Sequence, residues 1–283
     1  LWGYNVQWLL WISLFIGFAI KVPIFPFHTW LPLAHVEAPT AISVILAGVL
    51  LKMGTYGLLR ISYPLLPGEV ISFAYTLAVL GVINILWGAL NAIAQIDMKK
   101  MVAYSSVSHM GYVLLGMAAV VSSSESGAQA GMNGAVMQMF NHGTITAMLF
   151  LLVGVLYDQA HHRWIVYPDN YEDQELAGKP AFGGIGSQIP IYTAFVAFAF
   201  FAGLGLPALS GFISEALCFI GGFSAFKLLT AIGTLGILLN AIYFLRAYQR
   251  VFLGPLNEEY KDYSDMNNRE IAIIIPLAII ISF

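Results

Sequence analysis

Long apolar stretches separated by isolated charges run the length of this chain. No Asp, Glu, Lys or Arg occurs in residues 1–20, 38–51, 70–96, 101–124, 126–157 or 180–214. A helix that crosses a bilayer needs about 20 consecutive, mostly apolar residues. On that measure the pattern predicts about eight spans, at 4–33, 39–62, 70–96, 101–121, 132–157, 189–223, 227–251 and 270–283, the last incomplete. The fold class expected is an all-α polytopic membrane bundle, with residues 1–283 forming one transmembrane domain and 158–188 a loop on its cytoplasmic side. The chain starts at Leu1 and stops within an apolar run at Phe283, and it reads as an internal fragment of a longer protein.

The first and sixth runs are too long for one straight helix. Each contains breakers: Pro23 and Pro26 in the first, and Gly203, Gly205, Pro207 and Gly211 in the sixth. Proline removes a backbone donor and glycine loosens a helix, so both runs are expected to be discontinuous at membrane depth. Broken backbone there needs protein or water to cover its polar groups, and paired broken helices point to ion sites in transporters built from inverted repeats. Proline and glycine are also frequent in membrane helices in general, so the breaks alone do not define a site.

Composition sharpens the picture. The chain is 59% hydrophobic and 10% charged, where soluble domains carry about 25% charged residues. A net charge of −3, with no basic run longer than Lys99-Lys100, argues against nucleic acid as a partner. The one cysteine, Cys218, can form no disulfide within the chain and reads as packing. No dinucleotide, phosphate-loop, nucleophile-elbow or C-x-x-C motif occurs, so no cofactor is expected in this chain. Lys99, Lys100, Arg163, Lys179, Arg246, Arg250, Lys261 and Arg269 fall on one side of the predicted spans, against Arg60 and Lys227 on the other. The positive-inside rule places the richer side in the cytoplasm. The two long loops, 158–188 and 252–269, lie on that side and are expected to be solvated connectors. Adjacent His161 and His162 lack convergent ligand geometry, and no metal is expected there.

Three charges stand inside apolar runs: Lys21, Lys52 and Glu215. A charge at the bilayer centre costs about 2.5–3.5 kcal/mol on insertion scales. Such residues can form a structural ion pair or snorkel to an interface, but Lys52 lies at least ten residues from either end of its predicted span. A purely structural pair is weakly favoured, because desolvation consumes much of its Coulombic gain. Burial disfavours the charged form of both lysine and glutamate, which brings proton exchange within reach. His142 falls near the middle of the fifth span and His109 within the fourth. Imidazole gives and accepts protons near neutral pH, so Lys52, His142 and Glu215 make a chemically sensible path. Lys21 and His109 are further candidates. The bland reading of either histidine is a hydrogen-bonded packing residue.

Four stretches carry a resemblance: KVPIFPFHTWLPLAHVEAPTAISVILAGVLLKMGTYGLLR (21–60), AQIDMKKMVAYSSVSHMGY (94–112), MQMFNHG (137–143) and GLPALSGFISE (205–215). Together they resemble the antiporter-like, proton-pumping subunits of NADH:quinone oxidoreductase (respiratory complex I), most closely the M or chain 4 type. The resemblance implies a fourteen-helix fold with discontinuous seventh and twelfth helices, of which this chain would hold about eight, from the seventh onward. It implies that Lys21 is the helix-seven lysine whose glutamate partner lies on an earlier helix, that Lys52 is the central helix-eight lysine, and that His142 lies on the connecting helix eleven. It also implies that Glu215 stands where the L, N and Mrp-type subunits usually carry lysine. The function implied is proton translocation across a bacterial inner membrane or equivalent energy-transducing membrane. Electron transfer from NADH to quinone, with FMN and iron–sulfur clusters, would take place in partner subunits. L-type and N-type subunits and the lipid bilayer are the partners implied. The alternatives are an Mrp-type cation/proton antiporter subunit and an M-type subunit of a hydrogenase- or F420-linked complex. A scaffold whose buried charges only orient helices is a third reading. Loop 158–188 is longer than the resemblance leads one to expect, and no role is assigned to it.

Overall fold

A computed structural model describes residues 5–166 and 181–282. Ten helices are present among the described residues: α1 (Val6–Lys21), α2 (Trp30–Glu37), α3 (Thr40–Leu65), α4 (Pro67–Ala94), α5 (Met98–Val121), α6 (Glu125–Ala160), α7 (Pro190–Gly203), α8 (Ser210–Ala225), α9 (Lys227–Phe252) and α10 (Asn268–Ile281). Five of them, α3, α4, α5, α6 and α9, are long and apolar enough to cross a membrane. The remaining spans are the pairs α1–α2 and α7–α8, followed by α10. Both predicted discontinuities are therefore present. Residues 22–29 interrupt the first run, and Leu204–Leu209 interrupt the sixth. α3 is continuous but contains wide turns at Leu46–Leu50 and Leu58–Ser62.

Helix α5 is the axis of the bundle. Of its most apolar window 83% is buried, against 33% for α9, so its neighbours wrap around it and turn their outer faces to lipid. Small residues allow the close approach, as is common where helices meet without a hydrophobic drive between them. A Cβ on Gly88 of α4 would lie 2.5 Å from the Ser108 nitrogen of α5, and one on Gly221 of α8 would lie 2.2 Å from the Gly131 Cα of α6. α5 begins earlier than the charge pattern predicts. Asp97 caps it by accepting from the backbone N–H groups of Lys99 and Lys100, at 2.6 and 3.1 Å. Lys99, expected in a loop, is buried within the first turn and donates to Ala38 O at 2.6 Å.

One amide side chain from a continuous helix serves each break. At the first, Asn84 of α4 accepts from Phe25 N at 2.8 Å and donates to Pro23 O at 3.3 Å. Trp30 closes the same gap by donating from Nε1 to Ile20 O at 2.9 Å. At the second, Asn141 of α6 donates to Ser210 O at 2.8 Å and to Ser214 Oγ at 3.1 Å. Backbone freed from a helix in an apolar medium must find partners. At the first break Asn84 supplies them from the bundle interior, whereas at the second Leu206 N and Leu209 N bond locally to Phe201 O and Leu206 O, and Asn141 braces the first turn of α8.

The expectation of solvated connectors fails for the described parts of both long loops. His162 stacks on Trp164 and Phe182, and its Nε2 lies 3.0 Å from the Tyr260 hydroxyl. Trp164, Phe182, Tyr260 and Met266 are all buried. Aromatic area on both loops is large enough to leave water, and burial holds the Tyr260 phenol protonated well above its ordinary range. Backbone bonds from Met98 N to Arg163 O (2.9 Å) and Ile165 N to Ile96 O (2.7 Å), with the Arg163–Asp97 ion pair, pin this layer to the start of α5. Asp265 accepts from Ile191 N and Tyr192 N at the start of α7. Lys179 and the middle of loop 158–188 lie outside the described residues.

Replacing Asn84 by Leu removes both side-chain bonds at the first break and leaves the Phe25 N–H and Pro23 carbonyl unpaired. A buried polar group left unsatisfied costs about 1–3 kcal/mol. The full-length variant is expected to unfold at a lower temperature in detergent and to assemble in reduced amount, as read by a thermal melt and by membrane content.

Candidate functional site

α3 and α6 meet where both carry glycine. A Cβ on Gly143 would lie 2.8 Å from Gly48 O, so the two backbones are close enough for a lysine on one to reach a histidine on the other. Lys52 Nζ stands 2.7 Å from His142 Nδ1 and also donates to Ala47 O. With Lys52 as an ammonium, which has only protons to give, His142 Nδ1 accepts and its proton sits on Nε2. That nitrogen is buried without a hydrogen-bond partner among the described residues. The outer side of the Lys52 stem borders an apolar groove with Val49, Met53 and Phe140.

The ring of His109, from α5, follows next, 5.4 Å from that of His142 between centroids. His109 Nδ1 lies 3.1 Å from Glu215 Oε1, and both residues are almost wholly buried. Glu215 stands on the second turn of α8, just beyond the break. The chain between the half-helices packs directly on it. Gly205, at φ +76°, would place a Cβ 2.9 Å from Glu215 Oε2, so only glycine satisfies both the left-handed backbone and the contact. A polar group of α6 and α8 flanks the pair: Ser214 Oγ donates to Gln138 Oε1 at 2.5 Å, and Gln138 Nε2 lies 3.5 Å from His109 Nδ1. An internal cavity joins these groups. It is lined by Ser105, His109, Gln138, His142, Thr146 and Glu215, together with Ala202, Gly203 and Gly211 of the broken run.

The structure thus gathers four of the five candidates into one buried row, in the order Lys52, His142, His109, Glu215. Lys21 is not bonded into it. That residue ends α1, where its charge complements the carbonyl end of the helix, and its Cβ packs against Gly54. It makes no hydrogen bond or ion pair among the described residues. Several site residues were not singled out by the sequence reading. Asn84, Asn141 and Gln138 each interrupt a charge-free apolar run, which was the signal available. His35 also went unselected: it is buried against Phe150, with ring centroids 4.4 Å apart, and neither ring nitrogen has a partner among the described residues.

Two broken helices beside a row of titratable side chains inside an apolar bundle define a membrane protein of the antiporter-like fold. A family model described as "NADH:quinone oxidoreductase/Mrp antiporter, TM" matches residues 2–240, and the chain belongs to that family. It is 44% identical over 98% of its length to NADH-quinone oxidoreductase subunit M of Rickettsia conorii, covering 52% of that protein. It is 41% identical over 97% of its length to NADH-ubiquinone oxidoreductase chain 4 of Chondrus crispus, again covering 52%. The chain therefore spans about half the length of the curated relatives it matches. Among solved structures, respiratory complex I from Thermus thermophilus with bound NADH contains a chain of similar fold: TM-score 0.84, 30% identity, 98% of this chain and 54% of that one covered. The Mrp complex from Dietzia sp. DQ12-45-1b shares the fold at TM-score 0.72 and 21% identity, over 88% of this chain and 43% of that one. The chain is an integral, multi-pass membrane protein.

The contact between Gly48 and Gly143 sets the reach of Lys52, so Gly143→Val is expected to force α3 away from α6. A structure of the full-length variant should place Lys52 Nζ beyond about 3.5 Å from His142 Nδ1, outside hydrogen-bond range.

Proposed function

We propose that this chain is the proton-conducting part of an M-type membrane-arm subunit of NADH:quinone oxidoreductase. The observation that carries the reading is the row from half-buried Lys52 through His142 and His109 to Glu215, its two histidine rings 5.4 Å apart, which ends at one of the two breaks. Greater likeness to the complex I chain than to the Mrp chain, 30% against 21% identity, favours this reading over a cation antiporter.

In this reading Lys52, charged, gives a proton to His142 Nδ1. The proton on His142 Nε2 passes into the cavity and through water to the free nitrogen of His109, since groups on separate helices need not touch when water bridges them. His109 then gives its Nδ1 proton to the Glu215 carboxylate. Each transfer leaves the donor one proton short until the next arrives, so net movement runs from the α3 side toward α8. A charge at one end is felt at the other because little water screens the interior. Protons enter from the cytoplasm near Lys52 and leave outward past Glu215. Electron transfer from NADH to quinone, with its flavin and iron–sulfur groups, belongs to partner subunits, and L-type and N-type subunits are the expected membrane neighbours. Lys21 would complete the entry end with a carboxylate from the part of the relatives' length that this chain does not span. Residues 158–188 lie on the cytoplasmic face.

The test is Glu215→Gln in the full-length protein, with proton pumping followed alongside NADH:quinone turnover in membranes. Positioned proton-transfer groups contribute about 10²–10⁴-fold, so both activities are expected to fall at least tenfold while the complex stays assembled. Unchanged pumping at normal assembly would rule the row out as the proton path.

A further inference from the structure

A second string of polar side chains, along α9, runs to the Glu215 end of the row, and the path above makes no use of it. The face that α9 turns inward carries Gly236, Asn240, Tyr243 and Ala247, all buried at one-turn intervals. Asn240 donates to the Tyr112 hydroxyl at 3.1 Å, and Tyr112 stands one turn from His109, with ring centroids 5.7 Å apart. One turn further along α9, Tyr243 is 1% exposed, and the Ser105 side chain of α5 comes within hydrogen-bonding reach of its hydroxyl without closing a well-formed bond. A buried phenol with its hydrogen-bonding capacity left open is rare and calls for a reason.

The Tyr243 side chain lines a small cavity between α4, α5 and α9, together with Ile93, Gln95, Met101 and Arg246. Gln95 and Arg246 are only half-buried, so this cavity stands at the end of the bundle that bears Lys99, Lys100 and Arg163. Arg246 is anchored there by donating to Ile93 O at 2.8 Å. Met101, Ser105 and His109 follow one another at one-turn intervals on a single face of α5. Met101 lines the Tyr243 cavity, whereas Ser105 and His109 line the cavity that holds Glu215. The Ser105 proton is bonded to Val102 O at 2.7 Å, which leaves its oxygen free to accept from the Tyr243 hydroxyl within its reach. The two cavities are thus consecutive along α5, with the Tyr243 and Ser105 hydroxyls between them.

We infer that Tyr243 is the link in a second, water-filled branch. This branch connects the Arg246–Gln95 end of the bundle to His109 and Glu215 without passing through Lys52. A water in the outer cavity has polar partners in Tyr243, Gln95 and Arg246, which is the number such a site requires. A proton arriving on that water passes to the Tyr243 oxygen while the phenol's own proton moves on to Ser105 Oγ. The phenol ends unchanged, and the Ser105 proton continues to water in the Glu215 cavity. The inference rests on the proposed role of Glu215. It adds a route by which that residue can be reloaded from the same side as Lys52.

Tyr243→Phe tests it in the assembled, full-length complex, because only the hydroxyl is removed and the ring keeps its packing. A group that serves packing alone loses no partner in this exchange, so turnover and pumping would be unchanged and the thermal midpoint equal or higher. If the branch operates, the midpoint is likewise maintained, whereas turnover and pumping both fall by about two- to tenfold, less than for a group on the sole path. Ser105→Ala is expected to give the same pattern, and the double variant no more than either single one. Full activity of Tyr243→Phe and Ser105→Ala, with Glu215→Gln inactive, would overturn the branch and leave the main row standing. Full activity of Glu215→Gln as well would remove the proposed function and the branch with it.

Discussion

A backbone that leaves the helical state inside a membrane has no water to fall back on, and this structure is organised around that constraint. Each break exposes carbonyl and amide groups that a straight helix would have paired internally. Among the described residues Asn84 meets them at the first break, while at the second local backbone bonds do so and Asn141 fixes the start of α8, each amide reaching out from an unbroken helix. The breaks therefore cannot sit anywhere in the bundle. They must face helices that bring amides to the right height, and that requirement holds α1–α2 against α4, and α7–α8 against α6.

Once the breaks are held in the interior, the adjoining space is both irregular and polar. The gap between α7 and α8 leaves a cavity whose wall includes the backbone of Ala202, Gly203 and Gly211. Gly205 then brings chain directly against the Glu215 carboxylate. A buried charge is costly unless other groups share it, and here His109 contacts it directly, with Gln138 and Ser214 following His109 in a line of polar contacts. In the proposed path the neighbour that makes Glu215 tolerable, His109, is also the group that would hand it a proton.

Close helix contact does the remaining work. Lysine on α3 meets histidine on α6 because Gly48 and Gly143 allow the backbones to touch, and α5 fits at the centre because its neighbours offer glycine and serine along their facing sides. The loop layer that packs His162, Trp164, Phe182 and Tyr260 together closes one end of the bundle and ties α5, α6 and α7 to a common base.

The apolar helices, the two discontinuities and the three charges within apolar runs were legible in the chain itself, because each is a property of neighbouring residues. Apolar run length sets a span, Pro23, Pro26 and Pro207 mark where hydrogen bonding must stop, and a lone Lys52 or Glu215 in an apolar run is costly whatever surrounds it. Which of these residues meet was decided by tertiary structure alone. Lys52 and His142 are 90 residues apart in the chain, and no local pattern encodes that α3 and α6 cross at a pair of glycines. The same holds for His109, whose place between His142 and Glu215 depends on α5 lying at the axis, and for Lys21, which has the same local signature as Lys52 yet is not bonded into the row. Asn84 and Asn141 looked like ordinary polar interruptions until the breaks they serve were set beside them. The long loops looked solvated because polar residues dominate their sequence, whereas burial was decided by a few aromatic side chains that find one another only when the helices beneath them are packed.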